Sequence, residues 1–176
     1  AAVIHELWMG SDAGLLIMPG SLPLDVSAVR DELTRHLPEG WNSLVDREVD
    51  GKRSVPWQQD KNVLRYGKVL ASRRVARTIM LGSAPTVRQQ NVRGIEASRI
   101  RLGVVQPGEQ IAVFNDALGS LQNSLAYLYT NPSGDRFWYD TRPTLRKTVE
   151  DRATQFSASE VEYEIERRMK KLRLEP

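Results

Sequence analysis

The stretch from Ile111 to Thr141 constrains the fold more than any other part of the chain. Its first half puts Ile111, Phe114, Leu118, Leu121 and Leu125 at helical spacing. In its second half the period changes to two: Leu125, Tyr127 and Tyr129 alternate with Ala126 and Leu128, and Phe137 and Tyr139 flank Trp138. Between these runs lies Asn131-Pro132-Ser133-Gly134-Asp135, a cluster of turn formers. The spacing predicts helix, strand, tight loop, strand, which is the second half of a winged-helix unit.

Upstream, Gly67 to Leu81 predicts a helix with Val69, Ala76, Ile79 and Met80 inward and Lys68, Arg73, Arg74 and Arg77 on its other faces, closed by Gly82 and Pro85. Val92 to Val105 predicts another, with Ile95, Ile100 and Leu102 inward and Arg93, Arg99 and Arg101 outward. Three helices followed by a hairpin is the winged helix-turn-helix order. Nearer the start, Val3 to Trp8 predicts a helix end, broken by Gly10, Ser11 and Asp12. Leu15 to Met18 predicts a short buried strand stopped by Pro19-Gly20. Asp25 is placed to cap a helix whose stripe is Val26, Val29, Leu33 and Leu37, and the weakly patterned segment after Trp41 predicts a loop held by Trp57. After the hairpin, Pro143 is placed at the first turn of a helix carrying Leu145 and Val149. Ser157 and Glu160 then form a capping box before a stripe of Val161, Ile165, Met169 and Leu172. The expected class is α+β and mainly helical. It divides into a small α/β part (1–64), a winged-helix-like domain with basic helices (65–142) and C-terminal helices (143–176).

Charge is distributed unevenly along the chain. Residues 65–101 hold nine Lys and Arg against one acidic residue, whereas residues 1–64 hold six against ten and residues 102–176 hold ten against eleven. A positive field concentrated in this way attracts phosphate, of a nucleotide or of nucleic acid. Cysteine is absent and histidine is limited to His5 and His36, which removes disulfides and thiolate or histidine-rich metal centres. The longest apolar run, Leu15 to Met18, is too short to span a bilayer, and no secretory signal is visible. These features predict a cytoplasmic chain with no membrane partner. It begins at Ala1 without Met and already in an apolar helical pattern, so it reads as a piece of a longer protein.

The chain has no phosphate-binding loop of the G-x-x-x-x-G-K-[ST] type. Arg73, Arg74 and Arg77 nonetheless stand three and four apart on one predicted helix. They form either a solvated basic face or a set of guanidiniums offered to a terminal phosphate. Arg93, Arg99 and Arg101 offer contacts to a DNA backbone, with Trp138 available to stack on a base. Against sequence-specific DNA reading, no Lys or Arg occurs from Gly103 to Asp135, so the helix that would enter a groove lacks cations. That favours a protein–protein or intramolecular winged helix over a sequence reader. Tyr127, Tyr129, Phe137, Trp138 and Tyr139 either stack on single-stranded bases or pair across a hairpin, the latter favoured for Tyr127 and Phe137. Asp46, Glu48, Asp50 and Asp60 read as a solvated acidic loop, with oxygen ligation of a divalent cation as the alternative. No residue is assigned as catalytic or as a metal ligand.

Several runs together resemble a known family: Gly14-Leu15-Leu16-Ile17-Met18-Pro19, then Arg73-Arg74-Val75-Ala76-Arg77-Thr78-Ile79-Met80-Leu81-Gly82-Ser83-Ala84-Pro85, and then Phe137-Trp138-Tyr139-Asp140-Thr141-Arg142-Pro143-Thr144, with Glu150-Asp151-Arg152-Ala153 behind them. The chain resembles part of a family of large predicted bacterial ATPases of the AAA+ type, catalogued as a domain of unknown function, whose members accompany DNA modification and phage-defence genes. The resemblance covers most of residues 1–156. It implies that ATP and Mg are bound by the parent ATPase outside this chain. It also implies that the helix with Arg73, Arg74 and Arg77 follows that core as a lid that senses nucleotide phosphate, with the rest of the parent as partner; the basic helices add a DNA backbone, and the wing aromatics a partner protein, as further expected partners.

Overall fold

The computed structural model describes residues 2–10, 14–83 and 93–172. Ser11, Asp12, Pro85 and Val92, to which the sequence gives boundary roles, lie outside them. The chain is mainly helical with one small three-stranded antiparallel sheet. It divides into two compact units, residues 1–142 and residues 143–176. The division drawn from sequence at residue 64 falls inside the first.

In the first unit, helix α1 (Ala2–Met9) is followed by a 3-10 turn at Pro19–Ser21 and by α2 (Ser27–Thr34). A short helix α3 (Trp41–Leu44) runs into a π-helical turn at Val45–Val49, and α4 (Val55–Asn62) and α5 (Leu64–Gly67) follow. Then come α6 (Ala71–Gly82), β1 (Ile95–Glu96), α7 (Ala97–Val104), α8 (Ile111–Ser124) and the hairpin β2 (Leu128–Thr130) and β3 (Arg136–Tyr139). The sheet order is β1-β3-β2. Residues 1–64 and 65–142 share one core, in which Leu24, Val45 and Val49 join Val75, Ile79, Ile100, Phe114, Leu121 and Phe137.

Helix α6 is the centre of this unit, and ten of its residues, Ala71 to Met80, are buried. Packing on all sides explains its tolerance of an apolar stripe no wider than that of a surface helix. The expected start at Gly67 is displaced, because Leu70 adopts a left-handed φ of 51° that separates α5 from α6. The new N-terminus is capped from a distance: the Asp60 carboxylate accepts from Ser72 N at 2.9 Å and Arg73 N at 3.1 Å. Close approach to α7 requires a glycine, since a Cβ at Gly103 would lie 2.6 Å from Thr78 Cγ2.

The helix and hairpin from Ile111 to Tyr139 form as the periodicity predicts, with two changes of facing. Phe114, Leu118 and Leu121 are buried, but Ile111 is exposed at the first turn. In the hairpin, Leu128 pairs with Tyr139 on the core side and Tyr129 with Trp138 on the outer side, so Leu128 rather than Tyr129 faces inward. The rings of Tyr129 and Trp138 stack with centroids 5.8 Å apart. The loop closes through Asn131, whose Oδ1 accepts from Asp135 N and Arg136 N, and through Gly134 at a φ of 72°.

Four expectations are corrected. Leu15 to Met18 is not a buried strand: Leu15, Leu16 and Ile17 are exposed, and the Gln106 side-chain amide takes the place of a neighbouring strand, accepting from Leu16 N at 3.0 Å and donating to Leu16 O at 2.6 Å. Asp25 does not cap α2, because its carboxylate faces arginines. The segment after Trp41 is helical rather than a loop, and Trp57 belongs to α4. The helix expected from Val92 starts at Ala97, because Ile95 and Glu96 pair with Phe137 and Arg136; its Leu102 is 74% exposed instead of inward.

The second unit holds α9 (Leu145–Ala153) and α10 (Ala158–Leu172). Thr144 rather than Pro143 begins α9, its side chain accepting from Lys147 N. The capping box forms as expected, with Ser157 N donating to Glu160 Oε2 at 2.8 Å and Glu160 N to Ser157 Oγ at 3.3 Å.

Candidate functional site

The three arginines expected on the outer faces of α6 are internal. Arg73, Arg74 and Arg77 are 8%, 8% and 5% exposed. Nothing local marks them as internal, because their partners, Asp25, Asp50 and Glu109, lie far away along the chain. Asp50, expected in a solvated acidic loop, is 0% exposed and sits between two guanidiniums. Arg73 Nε donates to its Oδ1 at 2.6 Å and Arg77 Nε to its Oδ2 at 2.8 Å. Asp25 accepts from both arginines, at 3.1 Å and 3.3 Å, and Asp50 Oδ2 also accepts from Asp25 N at 2.8 Å. Arg77 reaches Gly20 O as well, and the Arg73 guanidinium lies 3.8 Å from the centre of the Trp57 ring.

Arg74 forms a second arm. It donates to Glu109 at 2.7 Å, to Val69 O at 3.2 Å and to Val104 O, over the Phe114 ring. Glu109 in turn accepts from Gln106 N at 2.7 Å. Three guanidiniums are therefore matched by the carboxylates of Asp25, Asp50 and Glu109. Burial pushes the Asp50 carboxyl up, against the pull of Arg77 and Arg73, and burial also lowers Arg77. Both directions express one fact: these charges are held out of water and depend on each other. Glu48 is buried too, accepting from Ala126 N at 3.2 Å, so the acidic loop is largely part of the interior.

A cleft of about 900 Å³ opens beside this network, between α1, the segment from Gly14 to Val26 and α6. Lys68, Arg73, Arg74 and Arg77 line it together with Glu6, Asp25 and Glu109, so cations and carboxylates nearly balance. Among the described residues, no group of three His, Cys, Asp or Glu side chains is placed to hold a metal ion.

The other predicted cations are at the surface. Arg93, Arg99 and Arg101 are exposed; Arg93 pairs with Asp140 at 3.6 Å, and Arg101 Nε donates to Asn115 at 2.9 Å. Trp138 is half-buried against Tyr129, on the opposite side of the hairpin from Phe137. The structure thus places the three α6 arginines inside, while Arg65, Lys68, Arg93, Arg99 and Arg101 are exposed. The outer face of α8 carries Ile111, Ala112, Asn115, Asp116, Gly119 and Asn123, with Asp116 paired to Arg65 at 2.9 Å. Among the described residues, no helix is long and apolar enough to cross a membrane.

No protein-family model, curated protein or solved structure matches this chain.

Proposed function

We propose that residues 71–139 are a winged helix turned toward protein, and that the chain is an accessory region of a larger AAA+ type ATPase. The order α6, β1, α7, α8, β2, β3, with β1 joining the hairpin through β3, supports the winged-helix part. The choice of protein over DNA is carried by one observation: α8 supplies no Lys or Arg to its exposed face, its one charge there, Asp116, is negative, and the two arginines that reach this face, Arg65 and Arg101, are engaged with Asp116 and Asn115. A helix inserted into a groove meets phosphates on both sides, so such a face adds repulsion and no counterion release.

The arginines of α6 supply the transmission. By binding Asp25 and Gly20 O they tie the segment ahead of α2 to the helix on which α7 and α8 pack. A shift of that segment, driven by ATP and Mg in the parent ATPase, would then carry the docking face with it. In this proposal the arginines relay nucleotide state through carboxylates. Direct contact of Arg73, Arg74 or Arg77 with a phosphate would first have to displace Asp25, Asp50 or Glu109.

Titration of the chain against labelled duplex DNA at low and moderate salt tests the docking choice. The expected result is no saturable binding. Micromolar binding with a steep salt slope, abolished by Arg99→Ala with Arg101→Ala, would instead establish the nucleic-acid reading.

A further inference from the structure

We propose that α10 pairs antiparallel with α10 of a second copy of this chain. This inference is independent of the proposed function and stands on the second unit alone. Among the described residues of that unit none is buried, although it carries Leu145, Val149, Phe156, Val161, Ile165 and Met169. Helices of nine and fifteen residues are marginal in water without a packed apolar face. In α10, Val161, Ile165, Met169 and Leu172 form one stripe and are between 46% and 74% exposed.

The charges beside this stripe identify what covers it. The first half of α10 carries Glu160, Glu162, Glu164 and Glu166; the second half carries Arg167, Arg168, Lys170 and Lys171. The helix is acidic at one end and basic at the other, with the change of sign at its middle. Two copies laid antiparallel bring acid opposite base at both ends while the stripes meet, with Val161 of one near Leu172 of the other. Two parallel copies would set like charges together along the whole length. At 3.6 residues per turn, Glu164 and Arg168 border the stripe on the same edge, so Glu164 of one copy faces Arg168 of the other. Within one helix Glu164 already pairs with Arg168, at 3.0 Å. Such exposed pairs contribute little, which leaves them free to exchange partners between copies.

Sedimentation velocity on the full chain tests this. The expected mass is twice the 19.9 kDa of one chain, falling two-fold on dilution and in Ile165→Asp with Met169→Asp. Two charge variants separate pairing between copies from helix stability within one. Glu164→Lys with Glu166→Lys, and Arg168→Glu with Lys170→Glu, should each run as a single chain, and an equimolar mixture should recover the doubled mass. A wild-type chain of single mass at every concentration would overturn the proposal, as would a mixture that fails to recover the doubled mass. A doubled mass unaffected by the apolar substitutions would do the same, because it would locate the contact elsewhere.

Discussion

Tyr139 shows how far a single side chain can be read from its surroundings. It lies on the core side of β3, donating to Glu48 O at 3.4 Å. Burial, and then the Glu48 carboxylate, holds its hydroxyl well above the usual tyrosine range. The unfolded chain ionises near pH 10 while the folded one does not, so unfolding releases a proton above that pH. The stabilising effect is complete below pH 10 and is lost as pH rises beyond it. Tyr139→Phe should flatten the fall in stability above pH 10, as measured by urea unfolding across pH. The substitution itself should cost about 1 kcal/mol at neutral pH for the lost hydrogen bond. Gln106 makes a comparable point about the backbone. Its amide gives Leu16 the two hydrogen bonds a strand neighbour would give, which is why an apolar run with strand character stays unpaired and outward-facing. Gln106→Ala should raise hydrogen exchange at the Leu16 amide many-fold and lower global stability by no more than about 2 kcal/mol. Unchanged exchange at Leu16 would show that the segment is held by other means.

The helices illustrate where periodicity suffices and where it fails. In α8, Phe114, Leu118 and Leu121 recur at a helical interval and one side of the helix is wet, so the sequence shows both the helix and its inner face. Helix α6 is buried all round, and its arginines look like a solvent face only because the residues that neutralise them, Asp25, Asp50 and Glu109, are tens of positions away. Asp50 is further disguised by standing next to Gly51, where it resembles an ordinary turn. The start of α6 is hidden in the same way: beyond the left-handed Leu70 its first turn is capped by Asp60, supplied by α4 rather than by a local residue. Burial raises the Asp60 carboxyl, and donation from Ser72 and Arg73 offsets part of that rise. Asp60→Ala should therefore destabilise the first unit by about 2 kcal/mol in urea unfolding, with Asp60→Asn recovering part of the loss. A change within about 0.5 kcal/mol for both variants would mean that α6 begins without this cap.

At the scale of the whole molecule, charge clustering in sequence and charge at the surface are different quantities here. Residues 65–101 are the most basic part of the chain, yet the arginines of α6 are matched inside the first unit, and among the described residues of this stretch the outer cations are Arg65, Lys68, Arg93, Arg99 and Arg101. The division of labour between units follows the same logic. The first has a continuous core threaded by a buried ionic network; among the described residues of the second none is buried, and the charges of α10 are acidic in its first half and basic in its second. Patterning alone shows the second unit's helices and capping box, because those signals are local. The first unit's network is built from long-range pairs, which a single sequence leaves unspecified. Arginine footprinting with a dicarbonyl reagent, read by peptide mass spectrometry, tests the interior placement of the α6 arginines most directly. The account predicts rapid modification of Arg99 and Arg101 in the native chain, with Arg73, Arg74 and Arg77 reacting only once it is unfolded. Native-state modification of those three at the rate of Arg99 would contradict it.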